Sequence, residues 1–119
     1  MRTASPREFG GSGGEWSPEA LLVGAVADCF VLTFRAIAAA SQLRWLKVAC
    51  EATGTLDRVE GGFEFVWLRV SVRLTLLDAA DAERARRLAE KADHACLIAR
   101  SLKAPVEFEM QIDPAPVTV

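Results

Sequence analysis

The stretch that decides the fold is SPEALLVGAVADCFVLTFRAIAAAS, which runs from Ser17 to Ser41. Ser17 is a typical helix-capping residue, Pro18 fits the first helical turn, and Glu19 favours the positive end of the helix dipole. No further proline follows in the stretch, and its residues are apolar on nearly every side. The sequence therefore predicts one long central helix over 17–41 that is buried nearly all round.

The length of this central helix favours a dimer. About 24 residues at 1.5 Å each make a rod of about 36 Å, whereas a compact monomer of this size is roughly 35 Å across. The rest of a 119-residue chain can hardly sheathe a rod as long as the protein itself. We therefore expect an intertwined homodimer in which the two central helices cover each other.

The remaining chain alternates between strand and helix patterns. Residues 1–16 predict a glycine-rich loop, and residues 46–76 predict a long β-hairpin. A second helical region is expected over 79–101 and a final strand over 104–113. One face of the hairpin's second strand is apolar at every second position: Val66, Leu68, Val70, Val72, Leu74 and Leu76. These patterns predict a single α+β domain over 1–119, with the central helix packed on an antiparallel sheet.

The overall charge argues against polyanionic partners. Fourteen basic and sixteen acidic side chains give a net charge of -2, with no basic stripe along the chain. We therefore expect neither nucleic acid nor a membrane as a partner. The N-terminus lacks the apolar core of a signal peptide, and the longest unbroken apolar run, Ala20 to Ala27, is too short to cross a bilayer. These features favour a cytoplasmic location.

Few residues are available for metal, cofactor or acid–base chemistry. The single histidine, His94, is expected on the surface, and the cysteines are too widely spaced for a metal site. The glycine-rich segment at 10–14 precedes a helix, but no strand comes before it and no lysine follows it, so a flexible loop is the better interpretation than a phosphate loop. We expect no metal and no cofactor.

Three cysteines remain as candidates for chemistry: Cys29, Cys50 and Cys96. In a reducing compartment they are either buried packing residues or working thiols rather than a structural disulfide framework. Cys50 fits a packing role on the inward face of a strand. Cys29, in the middle of the central helix, fits the same role when it is considered alone. The sequence around Cys29 and Cys96 distinguishes these two residues.

Residues 6–30, PREFGGSGGEWSPEALLVGAVADCF, resemble the signature of the OsmC/Ohr family, the osmotically inducible and organic hydroperoxide resistance proteins. In that signature a glycine-rich loop and a Pro-Glu helix start precede the first reactive cysteine. Residues 90–103, EKADHACLIARSLK, look like the stretch around the family's second cysteine. The order of elements, which is buried helix, hairpin, helix and strand, also matches over essentially the whole chain.

The resemblance implies a cysteine-based peroxidase that reduces organic hydroperoxides in oxidative-stress defence, on an α+β fold built as an intertwined dimer. Carried over by position, Cys29 is the peroxidatic thiol and Cys96 is the cysteine that closes a disulfide with it. An external dithiol of the lipoyl type then reduces that disulfide. Glu19 matches the family's glutamate, which holds an arginine that stabilises the thiolate.

The chain departs from the family pattern at the positive charge. The family's arginine lies on an N-terminal pair of strands that the chain lacks, so it resembles a short variant, with Arg7, Arg35 or a residue of a partner subunit as possible charge partners. Glu19 precedes Cys29 by ten residues, about 15 Å on a straight helix, so only a kink or a second subunit brings them together. Asp28 is expected to raise the pKa of the neighbouring thiol.

Two interpretations without peroxidase activity stay open. In the first, a non-catalytic OsmC-like dimer binds a small apolar ligand or senses redox state, which the missing arginine and Asp28 both favour. In the second, the protein is a structural dimer with inert thiols. Fold alone does not decide among these, because one fold serves several functions.

Overall fold

A computed structural model describes residues 1–114 of the chain. Short 3₁₀ turns at Arg7–Phe9 and Ala79–Asp81 accompany the regular elements. The helices and strands are α1 Pro18–Ala40, β1 Trp45–Val59, β2 Gly62–Leu76, α2 Ala82–Ala95, α3 Leu97–Arg100 and β3 Val106–Asp113. Helix and sheet both contribute to one core, so the α+β class predicted from the sequence is confirmed.

The sheet has three strands in the order β1-β2-β3 and is mixed rather than antiparallel. β1 and β2 form the antiparallel hairpin, whereas β3 runs parallel to β2. The expectation of a wholly antiparallel sheet was therefore wrong. The reason is that α2 and α3 lie between β2 and β3, and such a crossover returns the chain to the same end of the sheet before the next strand begins.

The two hairpin strands meet in a tight turn. β1 and β2 pair up to Val59 and Gly62, so only Glu60 and Gly61 remain as loop residues. Gly61 has a φ of +96°, a conformation that side-chain-bearing residues rarely adopt. A two-residue connection of this kind fixes the register between the two long strands.

The core lies between α1 and one face of the sheet. α1 begins at the Ser17 cap, whose Oγ accepts a hydrogen bond from the Ala20 amide at 3.0 Å. α2 packs its small side chains Ala85, Ala89 and Ala92 into the same core. The buried stripe of α1 consists of Val26, Phe30, Phe34 and Ala38, and it faces the buried side chains of β2: Leu68, Val70, Val72, Leu74 and Leu76.

Within one chain, α1 is not buried all round. Only four of its 23 residues are buried, and Leu32 on the other side is 54% exposed. Within one chain one sheet and one short helix cover a single stripe of the rod, so the expected burial nearly all round requires a second subunit and stays a prediction. The uncovered side of α1 is apolar at Leu32, Ala36 and Ala39 but carries the charged side chains of Asp28 and Arg35.

The whole of α1 is longer than the short apolar run on which the sequence argument against membrane crossing relied. An 18-residue window of this helix has a mean hydropathy of 1.9, which is long and apolar enough to cross a membrane by these two criteria alone. The unbroken apolar run Ala20–Ala27 was too short a segment for judging whether the helix could cross a membrane. The two charged residues of α1, Asp28 and Arg35, interrupt the run but hardly lower the mean hydropathy of the whole helix. Here the helix lies on the sheet as a core element through its buried stripe.

Candidate active site

Cys29 and Cys96 meet where α1 crosses the junction between α2 and α3. Cys29 is half-buried on α1, directly before the core residue Phe30. Cys96 is 2% exposed, and its Sγ lies 4.0 Å from the carbonyl oxygen of Val26 on α1. Both thiols are free. The fold thus brings together two cysteines that are far apart in the sequence.

A break in the helical region places Cys96. The sequence predicted one helical region over 79–101, but the chain leaves the helical conformation at Cys96, with φ -63° and ψ 106°. The new helix α3 begins one residue later, at Leu97. Its first backbone N–H groups have no partner within the helix and are free to bind an anion nearby.

The thiol of Cys29 is surrounded by neutral hydrogen-bond donors. Burial by itself raises the pKa of Cys29, but hydrogen bonds from the backbone of Ile98, the thiol of Cys96, the hydroxyl of Thr33 and the backbone of Leu97 lower it. The lowering effects prevail, so the pKa of Cys29 lies below the ordinary value. The Thr33 Oγ1 atom is 3.9 Å from the Cys29 Sγ atom, one helical turn further along α1.

Cys96 has the opposite properties. Burial raises the pKa of Cys96, and the hydrogen bond to Cys29 and the negative charge of Cys29 raise it further, against smaller effects of the backbone at Ala99 and Ile98. Of the two thiols, Cys29 therefore loses its proton more readily than Cys96 does. Since the thiolate is the nucleophilic form, the arrangement favours Cys29 over Cys96 as the nucleophile of the pair.

Asp28 does not disturb this pair. The carboxylate is exposed and makes no contribution to the shifted pKa of Cys29. Neighbouring residues on a helix point in different directions, which keeps the two side chains apart. The expectation that Asp28 raises the pKa of Cys29 was therefore wrong.

Glu19 lies apart from the thiols of its own chain. It occupies the first turn of α1, ten residues before Cys29 on one uninterrupted helix. Its side chain lines a cleft formed with the glycine-rich loop and the β1–β2 hairpin. Its Oε2 atom is buried without a hydrogen-bond partner among the described residues.

Neither of the two candidate arginines contacts a cysteine within the described part of the chain. The Arg7 Nε atom donates a hydrogen bond to the carbonyl oxygen of Ser12 at 3.3 Å, which holds the side chain over the glycine-rich loop. Arg35 is exposed on α1. The groups that do stabilise the Cys29 thiolate were missed by the sequence reasoning. Thr33 was detectable as a hydroxyl four residues after the cysteine, whereas the backbone groups of Leu97 and Ile98 left no signal in the sequence.

The remaining candidates take no part in this pair. Cys50 is half-buried on β1 opposite Val72, and burial, with a smaller electrostatic effect of the nearby Cys96, raises the pKa of Cys50 to about 11. Such a thiol is almost fully protonated at neutral pH, which agrees with a packing role. His94 is exposed, and no group of three metal-binding side chains was found within residues 1–114.

A core helix that carries a half-buried thiol of lowered pKa beside a buried partner thiol defines a dithiol protein of α+β fold. The family model for OsmC-like protein matches residues 11–111, and the chain belongs to this family. The resemblance found in the sequence is thereby confirmed.

Individual relatives are similar over most of their length. The uncharacterized protein YmaD of Bacillus subtilis is 31% identical over 110 residues, which cover 89% of this chain and 73% of that protein. An organic hydroperoxide resistance protein of Xanthomonas axonopodis is 26% identical over 113 residues, covering 93% and 77%. The chain is thus similar both to an uncharacterized protein and to a protein named for organic hydroperoxide resistance.

Solved structures support the fold. An OsmC-like protein of unknown function from Vibrio cholerae superposes with a TM-score of 0.80 at 21% identity, covering 91% of this chain and 74% of the other. A Legionella pneumophila organic hydroperoxide resistance protein superposes with a TM-score of 0.73 at 27% identity, covering 92% and 78%.

The Thr33 hydroxyl is expected to stabilise the Cys29 thiolate. Thr33→Val removes the donor at nearly constant volume, and we expect the pKa of Cys29 to rise because its thiolate loses one stabilising hydrogen bond. The alkylation rate of Cys29 as a function of pH measures this pKa. Thr33→Ser keeps the hydroxyl and should leave the profile nearly unchanged. A Thr33→Val profile identical to that of the wild type would contradict the role of the hydroxyl.

Removal of the backbone N–H of Leu97 tests separately whether this group lowers the pKa of Cys29. Leu97→Pro removes this N–H while keeping the start of α3, because proline is tolerated at the first helical position. The backbone of Cys96 is already extended, which is the conformation that a residue before proline prefers. We expect Leu97→Pro to raise the pKa of Cys29 and Leu97→Ala to leave it in place, both by the same alkylation profile. Equal profiles for the two variants would exclude a contribution from this N–H.

Proposed function

We propose that the protein is a cysteine-based peroxidase that reduces organic hydroperoxides in the cytoplasm. The observation that carries the proposal is the asymmetric pair of thiols. Cys29 has a lowered pKa, is half-buried, and is hydrogen-bonded to the buried thiol of Cys96. Membership of the OsmC-like family and similarity to organic hydroperoxide resistance proteins support the same reaction.

In the first step of the proposed cycle, the Cys29 thiolate attacks the distal oxygen of the hydroperoxide and breaks the O–O bond. The products are a Cys29 sulfenic acid and an alkoxide, which takes up a proton and leaves as the alcohol. The Cys96 thiol is then placed to attack the Cys29 sulfur. Water leaves, a Cys29–Cys96 disulfide forms, and an external dithiol of the lipoyl type restores both thiols.

The charge on Cys29 determines at which step of the proposed cycle Cys96 becomes the better nucleophile. Before the peroxide arrives, the negative charge on Cys29 helps to keep the pKa of Cys96 high, so that Cys96 remains a neutral donor. Conversion of Cys29 to the uncharged sulfenic acid removes that effect. The pKa of Cys96 then falls, and Cys96 becomes a better nucleophile at the moment when its attack is required.

The thiolate is proposed to form without a nearby arginine. In the described chain the stabilising contacts come from the Thr33 hydroxyl, the Cys96 thiol and the backbone at Leu97 and Ile98, all of them neutral. A contribution from Glu19, Arg7 or Arg35 at Cys29 would require a second subunit, because none of the three reaches that thiol in its own chain. Such a contribution stays a prediction.

A redox-sensing or ligand-binding dimer is the second candidate function. The observation in its favour is that no cationic side chain of the described residues is among the groups that lower the pKa of Cys29. A thiolate that is stabilised only by neutral hydrogen-bond donors can still react with peroxide and form the disulfide. Stabilisation by neutral donors alone does not ensure rapid turnover. Sensing requires the same two cysteines but a single oxidation event rather than repeated cycles.

Consumption of cumene hydroperoxide with dihydrolipoamide as reductant tests the proposal. We expect turnover in the wild type and none in Cys29→Ser. With dihydrolipoamide left out, Cys96→Ser should reduce one equivalent of peroxide and then stop at the sulfenic acid, since the resolving thiol is absent. Cys50→Ser is the matched control and should keep the wild-type rate. Wild-type protein with reduced thiols that consumes one equivalent and stops would favour sensing. No consumption at all would exclude both the peroxidase and the sensor and leave the ligand-binding dimer.

A homodimer is proposed because the outer side of α1, apart from Asp28 and Arg35, is apolar and is uncovered in one chain. Leu32, 54% exposed in the middle of that side, is the residue of choice for a test. Leu32→Asp would place a charge in the shared interface, and we expect sedimentation equilibrium to show a shift from dimer to monomer. Leu77→Asp, at another exposed leucine, serves as the control. A wild type that sediments as a monomer at all concentrations would contradict the dimer.

A further inference from the structure

A side chain closes the short helix α3 at its end. The backbone N–H of Ser101, the residue that follows α3, donates to the carbonyl oxygen of Ile98 at 3.0 Å, as in a 3₁₀ turn. The hydroxyl of Ser101 donates to the carbonyl oxygen of Leu97 at 2.8 Å. A single helical turn is unstable on its own, because its nucleation orders several residues for one hydrogen bond. The Ser101 hydroxyl therefore adds a bond to an element that has few of its own.

The carbonyl group that accepts this bond belongs to the same peptide unit as an amide beside Cys29. The C=O of Leu97 and the N–H of Ile98 lie in one plane and point in opposite directions, because the peptide bond is planar and trans. The carbonyl points along α3 to Ser101, so the N–H points back to the start of α3, where α1 crosses. Burial is the largest effect on the pKa of Cys29 and raises it, and the hydrogen bond from the backbone of Ile98 is the largest effect that lowers it.

We propose that Ser101 is a positioning residue for Cys29, because its hydroxyl holds the Leu97–Ile98 peptide unit with the N–H directed at the thiol sulfur. Ser101 is exposed and is not among the groups that act on Cys29 directly, so its influence passes through that peptide unit. A hydrogen bond accepted by the carbonyl also polarises the peptide unit and makes its N–H a stronger donor. Orientation and polarisation both favour the thiolate. The inference rests on the proposed role of Cys29 as the nucleophile.

Ser101→Ala in the reduced full-length protein tests the role of the hydroxyl. The rate of Cys29 alkylation by iodoacetamide is measured as a function of pH, and mass spectrometry identifies the modified residue. We expect the midpoint of the profile to move to higher pH, so that alkylation below the midpoint is slower than in the wild type. The rate on the high-pH plateau should stay the same or rise slightly, because a thiolate of higher pKa is the better nucleophile. No hydroperoxide is present, so the result does not depend on peroxidase activity.

Two further variants separate the hydroxyl from packing. Ser101→Thr keeps the hydroxyl and should keep the wild-type profile. Ser71→Ala is the matched control, because Ser71 lies between the buried Val70 and Val72 on β2 and its side chain therefore faces away from the core. An unchanged profile in Ser101→Ala would overturn the inference and leave the peroxidase proposal standing. An equal shift in Ser101→Ala and Ser101→Thr would also overturn it, since packing rather than the hydroxyl would then be the cause.

A measurement on the wild type reports on the same peptide unit without any substitution. In isotopically labelled, reduced protein, we expect the NMR resonance of the Ile98 amide to move with pH at the midpoint of Cys29 alkylation, because the N–H donates to a sulfur that gains charge. In Ser101→Ala the size of this movement should decrease, since the peptide unit is no longer held. An Ile98 resonance that does not respond as Cys29 ionises would contradict the proposed path from Ser101 to the thiol.

Discussion

The packing of one stripe of α1 against the apolar face of β2 is the contact on which the rest of the structure depends. Phe30 and Phe34 anchor the helix, and Phe30 also meets Phe108 of β3 with ring centroids 5.2 Å apart. Cys29 directly precedes Phe30, so the anchored helix holds its thiol at the edge of the core. There it is covered on one side and accessible on the other, as the proposed reaction with a hydroperoxide requires.

The break at Cys96 turns this packing into a candidate active site. One continuous helix would direct its backbone N–H groups into its own ladder, whereas an extended residue followed by a new helix start leaves them available. The same break directs the Cys96 thiol beneath α1, beside Val26. A single irregular residue therefore supplies both the second thiol and part of the stabilisation of the first.

Local environment, rather than the residue type, separates the three cysteines. Burial acts on all of them in the same direction, raising the pKa. Cys29 alone has enough hydrogen-bond donors to reverse the effect, while Cys50 has none to offset its burial. The distribution of donors explains why three cysteines in one core differ in pKa, with that of Cys29 lowered and those of Cys50 and Cys96 raised.

Local pattern by itself determined the central helix, the hairpin with its buried face and the two cysteines in their family context, because periodicity and capping are encoded over a few residues. Only the tertiary structure decided that β3 is parallel, that Asp28 leaves Cys29 undisturbed, that Glu19 lies in a separate cleft, and that backbone groups of Leu97 and Ile98 reach the thiol. These features depend on the position at which the α2–α3 crossover brings the chain back to the sheet and to α1. Backbone N–H groups are common to almost every residue, so their proximity to a thiolate has no signature in the sequence.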